Sequence, residues 1–377
     1  MNFCESWQGT FRYRPFGGSG TSGASALPGS GKYAVGREES APVISSETAS
    51  EDIPSMPRVR LICGEFDSAS PSRIDAVVES RKTLEARNLS VTFRLDTAGI
   101  DRVFANGFQS WTESREWARH ERQRGLNPLL LPATHRYRLQ NYGDYTFTGY
   151  PQSRGRFVGY TYFYFVRGAA QGAPVLELWG SLDERNGYTR FTWDWKRGEL
   201  TVEKECEGLL LEGGEDILSL RTFTGTENEV FDWYFSHFGE TVDPAPRAGW
   251  CSWYRHYTGI DEEKVRENLE AFSSRGVPLD VFQIDDGWQR ALGDWLESND
   301  SFPSGMAAIA SEIREAGYTP GLWLAPFIVE ESSQLFREYP DLCVKDETGN
   351  PLLLGYNPFT WRGRFYSLDP LYPQVYE

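Results

Sequence analysis

The fold is decided by the stretch Asp280-Val-Phe-Gln-Ile-Asp285-Asp286-Gly287-Trp288-Gln289. Its apolar run stops at two adjacent carboxylates, a glycine and a tryptophan. A short, nearly continuous apolar run predicts a buried parallel strand, and the Asp-Gly pair predicts a turn directly after it. We therefore expect Asp285 and Asp286 to lie where a buried strand leaves a sheet. In a β/α barrel that end of the strand carries the chemistry.

Two carboxylates beside a tryptophan suit a ligand that carries many hydroxyl groups. Carboxylates accept hydrogen bonds from several hydroxyls, and an aromatic face covers the apolar side of a ring. The simpler interpretation is that Asp285, Asp286 and Gly287 form only a polar turn after the strand. The tripeptide alone does not choose between the two, so the surrounding chain has to.

The composition argues against several classes of partner. The net charge of −16, from 54 acidic and 38 basic residues, disfavours nucleic acid and anionic membranes, since both require a basic surface. The five cysteines form no Cys-x-x-Cys pair and the four histidines are not paired at ligand spacing, so we expect no disulfide framework, no metal and no cofactor.

The ends and apolar runs of the chain bear on its location. The first residues lack a basic segment followed by an apolar core, so we expect no signal peptide. A run of about 18 apolar residues, long enough for a membrane helix, is also missing. Together with the sparse cysteines, this predicts a cytoplasmic protein.

Three regions follow from the changes in pattern along the chain. Residues 1–57 form an N-terminal segment with a Gly/Ser-rich linker. Residues 58–243 contain many short β-forming runs separated by turn signals, which predict an antiparallel β-sandwich. From residue 244 strands and helices alternate: strands at 249–254, 280–285 and 320–327, helices at 261–275, 304–316 and 333–339, then an irregular insertion at 341–366 with a hairpin near 347–350.

The alternation after residue 244 predicts a parallel sheet with helical crossovers. A doubly wound sheet is the usual rival, but no G-x-G-x-x-G loop follows a strand here. A β/α barrel needs about 250 residues, whereas residues 245–377 number 133. We therefore expect this chain to be the N-terminal part of a longer protein.

The candidate ligand residues all fall at predicted strand ends. They are Trp253 and Tyr254 after the first strand, Asp285, Asp286 and Trp288 after the second, Asp294 and Trp295 in the loop beyond, and Trp323 in the third. A single tryptophan is more often core than binding surface. A tryptophan or aspartate at the same end of three consecutive strands is harder to explain by packing, so the pattern favours function.

At these motifs the chain resembles glycoside hydrolase family 36, the α-galactosidases (melibiases) and their relatives. The resemblance rests on Gly249-Trp-Cys-Ser-Trp-Tyr254, Val281-Phe-Gln-Ile-Asp-Asp-Gly-Trp-Gln289, Leu292-Gly-Asp-Trp295, Gly321-Leu-Trp-Leu-Ala-Pro326 and Leu368-Asp369. In the β-rich region, Ala105-Asn-Gly-Phe-Gln-Ser-Trp-Thr112 resembles another signature of the family.

The resemblance implies a β-sandwich (supersandwich) domain followed by a (β/α)8 barrel, and retaining hydrolysis of terminal α-galactosides such as melibiose or raffinose-type sugars. Asp285 and Asp286 would bind galactose hydroxyls, Trp323 would pack on the sugar, and Trp253 would line the pocket. Trp288 and Asp294 complete the expected substrate-binding set. A dimer or tetramer is also implied.

One part of the family pattern is missing. The family nucleophile is an aspartate in a Lys-x-Asp context on the fourth barrel strand, and its acid/base lies further on. Retaining hydrolysis needs both carboxylates about 5 Å apart. We therefore assign no catalytic residue and expect the 377-residue chain alone to hydrolyse no α-galactoside. The alternatives left open are a transglycosylase of the raffinose-synthase type, an enzyme for α-N-acetylgalactosaminides, and a non-catalytic carbohydrate-binding protein.

Overall fold

The computed structural model describes residues 4–15, 39–45, 57–64, 71–108, 112–123, 125, 129, 132, 136, 153–168, 172–239, 247–346, 348–357, 360–361 and 363–376. The chain divides into two compact units, with the main division between residues 241 and 242. The first unit is built of mostly antiparallel strands, and the second alternates strands with helices. Among the described residues, the helices are all too short or too polar to cross a membrane.

The first unit contains a large sheet of 13 strands, among the described residues. They are β1 (Cys4–Pro15), β2 (Glu39–Ser45), β3 (Arg58–Cys63), β4 (Ser72–Glu79), β5 (Leu84–Leu95), β6 (Ile100–Ala105), β7 (Arg115–Ala118), β8 (Arg156–Tyr160), β9 (Tyr162–Arg167), β10 (Val175–Ser181), β11 (Tyr188–Asp194), β12 (Glu199–Leu211) and β13 (Asp216–Gly225), followed by helix α1 (Glu227–Ser236).

The N-terminal segment takes part in the same sheet as the strands after residue 57. Among the described residues the order is β7-β6-β9-β10-β13-β4-β3-β2-β1-β5-β12-β11-β8, and all neighbours are antiparallel except β2 and β3. Strand β1 lies between β2 and β5, so the N-terminal segment contributes two strands to the sheet. The predicted linker falls mainly at 16–38 and 46–56, outside the described residues.

Aromatic side chains join the two halves of this sheet. The rings of Phe93 on β5 and Trp179 on β10 lie 5.0 Å apart between centroids. Those of Phe165 on β9 and Trp193 on β11 lie 4.9 Å apart. All four side chains are fully or almost fully buried. Strands from opposite halves of the order therefore face each other across one core, and much of the tryptophan in this unit is core rather than binding surface.

The second unit carries the candidate residues. Its elements are β14 (Gly249–Cys251), α2 (Trp253–His256), α3 (Glu262–Ser274), β15 (Val281–Ile284), α4 (Gly305–Glu315), β16 (Thr319–Leu322), β17 (Ile328–Glu330), α5 (Gln334–Glu338), β18 (Leu353–Asn357) and β19 (Gly363–Ser367). Short 3₁₀ turns span Tyr257–Gly259, Pro340–Leu342 and Pro373–Tyr376.

The predicted βαβαβ alternation is confirmed. Strands β14, β15 and β16 form a parallel sheet in that order. Phe282 and Ile284 of β15 are buried together with Ile309 and Ile313 of α4, as the apolar spacing of that helix requires. The first and third strands end earlier than predicted. On β16 the reason is that β15 itself ends at Ile284, whose carbonyl accepts from the Trp323 N–H at 2.9 Å.

The prediction of an irregular insertion at 341–366 is wrong. Strands β18 and β19 pair with β17 into a small antiparallel sheet in the order β17-β19-β18. The predicted hairpin turn within it is present, since the Asp346 N–H donates to the Asn350 carbonyl at 2.8 Å. Val329, Cys343, Tyr366 and Leu368 form the core beneath this sheet, which is why the segment orders.

Glu262 ties the start of α3 to the start of α4. Its carboxylate accepts from the Ser304 N–H at 2.6 Å and from the Ser304 hydroxyl at 2.9 Å, and pairs with Arg266 at 3.0 Å. Burial disfavours the charged form, but these contacts outweigh it and lower the pKa of Glu262. Its contribution to stability is therefore present above the ordinary glutamate pKa and is lost as the pH falls through the folded value.

We expect Glu262→Gln to lower the free energy of unfolding by about 2 kcal/mol at pH 7, the usual cost of losing hydrogen bonds to a charge. The difference from the wild type should shrink below about pH 4, where the wild-type carboxyl also protonates. Urea denaturation at pH 7 and pH 3 measures both effects. The exposed neighbour Glu263 supplies the control Glu263→Gln, and equal effects of the two variants would contradict the prediction.

Candidate functional site

The two candidate carboxylates follow β15 directly. Asp285 comes immediately after Ile284, and the chain turns at Gly287, whose φ is +119°. A Cβ on Gly287 would lie 2.7 Å from both the Cα and the carbonyl oxygen of Thr258, so only glycine fits this turn. The Asp286 N–H donates to the Asp285 carboxylate at 2.8 Å. Strand β15 therefore ends in a rigid turn that places two carboxylates side by side.

Asp285 is held by the end of the neighbouring strand β14. Its N–H donates to the hydroxyl of the fully buried Ser252 at 2.8 Å. Its Oδ2 accepts from the Gln283 amide at 3.1 Å and from the Cys251 thiol at 3.3 Å. Burial raises the pKa of Cys251 and the contact with Asp285 adds to the rise, so the thiol stays protonated and donates. Asp285 is thus oriented by two strands at once.

Asp286 is the more deeply buried of the pair, at 3% exposure. Its Oδ1 accepts from the Gln289 amide at 2.6 Å and its Oδ2 from the Trp361 indole N–H at 2.8 Å. Among the described residues these two neutral groups, and no cation, are its side-chain partners. A buried carboxylate without a cation is costly, and each of its oxygens can accept a further hydrogen bond.

Trp253 and Trp323 lie at the same edge of the parallel sheet. Trp253 opens α2 directly after β14, half-buried, with its ring 5.2 Å from that of Tyr257. The neighbouring Tyr254 is 86% exposed. Trp323 follows β16, also half-buried, with its ring 5.9 Å from that of Trp295. Both predicted aromatic positions therefore keep part of a ring accessible beside the strand ends, and their role in binding stays a prediction.

Trp288 follows β15 as predicted, but its side chain is buried. It is 2% exposed and belongs to the core around β15. Its indole N–H donates to the Trp323 carbonyl at 3.0 Å, and its ring faces Trp295 at 6.2 Å. Trp288 is thus a core residue in this structure, and its role in substrate binding stays a prediction. It holds the backbone of Trp323 at the edge of the sheet.

Asp294 also makes its observed contacts within the protein. Its carboxylate accepts from the N–H groups of Gln334 at 3.0 Å and Leu335 at 3.1 Å, and pairs with Arg290 at 3.0 Å. Its side chain is 6% exposed. Asp294 therefore satisfies the first N–H groups of α5, as helix N-termini require, and its hydrogen-bonding capacity is largely used within the protein.

We expect Asp294→Asn to destabilise α5 by about 2 kcal/mol, because an amide cannot accept all of these bonds or pair with Arg290. Hydrogen exchange measured by mass spectrometry over residues 330–340 should show faster exchange in the variant. Asp341, whose side chain is 96% exposed, supplies the matched control Asp341→Asn. Unchanged exchange in Asp294→Asn combined with weaker sugar binding would support Asp294 as part of the binding set.

Three residues near the pair escaped the sequence analysis as site residues: Gln289, Trp361 and Glu330. Gln289 belongs to the stretch 280–289, but its residue type gave no reason to predict a contact with Asp286. Glu330, on β17, accepts from the Ser332 hydroxyl at 2.5 Å. Burial raises the pKa of Glu330, and the negative charges of Asp294 and Asp286 add to the rise. A third carboxyl group therefore lies within electrostatic reach of Asp286.

Comparison with known proteins finds one matching family model and several similar α-galactosidases. Residues 248–357 match the family model described as melibiase. The α-galactosidase AgaA of Geobacillus stearothermophilus is 32% identical over 119 residues, which cover 28% of this chain and 16% of that protein. The α-galactosidase Mel36A of Lactobacillus acidophilus is 31% identical over 97 residues, or 24% of this chain and 13% of that protein.

Solved structures extend the similarity across both units. TtGalA, an α-galactosidase from Thermus thermophilus solved with stachyose, matches 84% of this chain and 62% of its own with a TM-score of 0.57 and 29% identity. AgaA of Geobacillus stearothermophilus, at a TM-score of 0.51 and 17% identity, supports the fold alone. The chain thus spans less than two thirds of these relatives. The resemblance to glycoside hydrolase family 36 indicated by the motifs is confirmed.

Proposed function

We propose that this chain, with its melibiase-type segment at 248–357, forms the sugar-recognition part of a family 36 α-galactosidase that hydrolyses terminal α-galactosides with retention. In this proposal the first unit is the family's supersandwich domain, and β14, β15 and β16 are the first strands of its (β/α)8 barrel. The observation that carries the proposal is the carboxylate pair Asp285–Asp286, held by neutral hydrogen-bond donors at the carboxyl end of β15.

The chemistry of the pair fits neighbouring hydroxyl groups on one sugar. Hydroxyls donate to carboxylates. Neighbouring residues inside a strand point to opposite faces, so both acids can serve one sugar only because the strand ends before them and the chain turns at Gly287. Galactose differs from glucose in one axial hydroxyl. A site that bonds this hydroxyl rejects the epimer, since the epimer leaves a buried acceptor unpaired.

The aromatic positions supply the other half of a sugar site. Trp323 and Trp253 flank the ends of β16 and β14, on either side of the strand that carries the carboxylates. In the proposal Trp323 packs on the apolar face of galactose and Trp253 lines the pocket wall. In the proposal Asp285 and Asp286 bind hydroxyls rather than act as nucleophile and acid/base, as the family resemblance implies.

We also propose a cellular location, a small-molecule partner and an oligomeric state. We place the protein in the cytoplasm, with an α-galactoside oligosaccharide as its small-molecule partner and a homo-oligomer as its state. TtGalA was solved in complexes with stachyose and with p-nitrophenyl α-D-galactopyranoside, and these two compounds are suitable probes for this chain.

Isothermal titration calorimetry with methyl α-galactoside and methyl α-glucoside tests the proposal. We expect the galactoside to bind at least about tenfold more tightly, because leaving one buried polar group unpaired costs about 1–3 kcal/mol. Equal affinities, or a preference for the glucoside, would overturn the assignment to α-galactosides. An Asp285→Ala variant that keeps wild-type affinity would overturn the assignment of the site.

A further inference from the structure

Trp361 reaches Asp286 from a part of the chain 75 residues away. It lies between β18 and β19, in the small antiparallel sheet that follows the three parallel strands. Its indole N–H donates to Asp286 Oδ2 at 2.8 Å, and its ring meets that of the buried Phe365 edge-on at 5.2 Å. The Thr360 N–H donates to the Asn357 side chain at 2.9 Å, which fixes the backbone just before Trp361.

The opposite oxygen of Asp286 is fixed just as firmly. Gln289 donates to Oδ1 at 2.6 Å, and its own amide oxygen accepts from the Gly287 N–H at 3.1 Å. That second bond determines which end of the amide faces Asp286. The Asp286 carboxylate therefore sits between two donors whose orientation is set elsewhere, one in its own turn and one in the antiparallel sheet.

This arrangement restricts how a ligand can approach. An indole is a donor only, so Trp361 keeps Oδ2 as an acceptor and occupies one side of it. The carboxylate, at 3% exposure, offers little further surface. A ligand hydroxyl must therefore donate to an acceptor whose direction is already fixed. The corresponding hydroxyl of the other epimer points elsewhere and cannot donate to this acceptor.

We propose that Trp361 is a positioning residue for Asp286 and sets the discrimination between sugar epimers at this site. The proposal rests on the proposed function for its ligand, an α-galactoside. The contact between Trp361 and Asp286 is observed independently of any ligand. Through this contact the segment that joins β18 and β19 contributes directly to the recognition site.

Trp361→Phe tests the proposal because it keeps an aromatic ring against Phe365 and removes the indole N–H, together with part of the ring. We expect its affinity for methyl α-galactoside to fall about tenfold, as for one hydrogen bond to a charge, while the weaker binding of methyl α-glucoside changes less. The galactoside-to-glucoside ratio therefore drops. The matched control is Trp233→Phe on α1 of the first unit, which should keep both affinities. An unchanged ratio in Trp361→Phe would overturn the proposal.

A ligand-free measurement separates this proposal from the function it rests on. In protein labelled with ¹⁵N-tryptophan, the indole signal absent from Trp361→Phe identifies Trp361. We expect that signal to be protected from hydrogen exchange in the wild type and to lose protection in Asp286→Ala, with near-ultraviolet circular dichroism reporting the fold. A signal that exchanges freely in the wild type would overturn the contact itself. Failure of the wild type to bind either sugar would instead overturn the proposed function, and the epimer role with it.

Discussion

Replacing Gly287 with alanine is expected to destabilise the second unit by about 3 to 5 kcal/mol. The glycine holds a φ of +119°, which L-residues rarely adopt, and its missing Cβ would stand 2.7 Å from two backbone atoms of Thr258. Backbone cannot swing aside as a flexible side chain can. The turn must therefore open, and Asp285 and Asp286 would move with it.

Hydrogen exchange by mass spectrometry over residues 249–295, together with urea denaturation, measures the effect. The control is Gly259→Ala, two residues after Tyr257 in the same stretch, where an added Cβ meets nothing within 4 Å. We expect the control to stay within about 0.5 kcal/mol of the wild type. A Gly287→Ala protein as stable as Gly259→Ala would show that the turn tolerates a side chain and is not what fixes the pair.

Replacing Asp286 with asparagine is expected to weaken the binding of methyl α-galactoside about a hundredfold, as for two hydrogen bonds to a charge. Both groups that flank this carboxylate donate: the Gln289 amide at 2.6 Å and the Trp361 indole at 2.8 Å. An asparagine amide would point its NH₂ group at one of these donors. The variant thus loses the acceptor that the sugar needs and also leaves a buried donor facing a donor.

Calorimetric titration of the variant gives the affinity, and the exposed Asp300 supplies the control Asp300→Asn with the same change of charge. That control should bind as the wild type does. If Asp286→Asn also binds normally while remaining folded, Asp286 is a structural group and recognition has to be sought at Asp285 and the tryptophans.

The parts of the second unit that local sequence determines were predictable. The apolar run before Asp285 gave β15, and Asp261 caps α3 by accepting from the Lys264 N–H at 2.8 Å, as its position before an amphipathic run indicated. Ser333 does the same for α5 through the Phe336 N–H at 3.0 Å. These apolar runs and capping residues lie within a few residues of the strand or helix end that they determine.

Contacts made across the fold were not predictable from the same patterns. Trp288 and Asp294 have the residue types of a sugar site, but sequence does not show direction: one ring turns into the core and one carboxylate caps a helix about 40 residues away. Trp361 lay in a segment that lacked regular patterning. Only the pairing of β18 and β19 with β17 brings it to Asp286.

The position of β5 in the first unit has a consequence for how the protein is made. This strand pairs with β1 before it and with β12 far after it, and the Thr92 and Thr201 hydroxyls that meet at 2.9 Å are 109 residues apart. At a synthesis rate of about 5–20 residues per second, β5 leaves the ribosome on the order of ten seconds before its partner. During that time the edge of β5 that later pairs with β12 is unpaired. We infer that the nascent chain is most prone to aggregation, and most dependent on chaperones, before residue 211 has been synthesised.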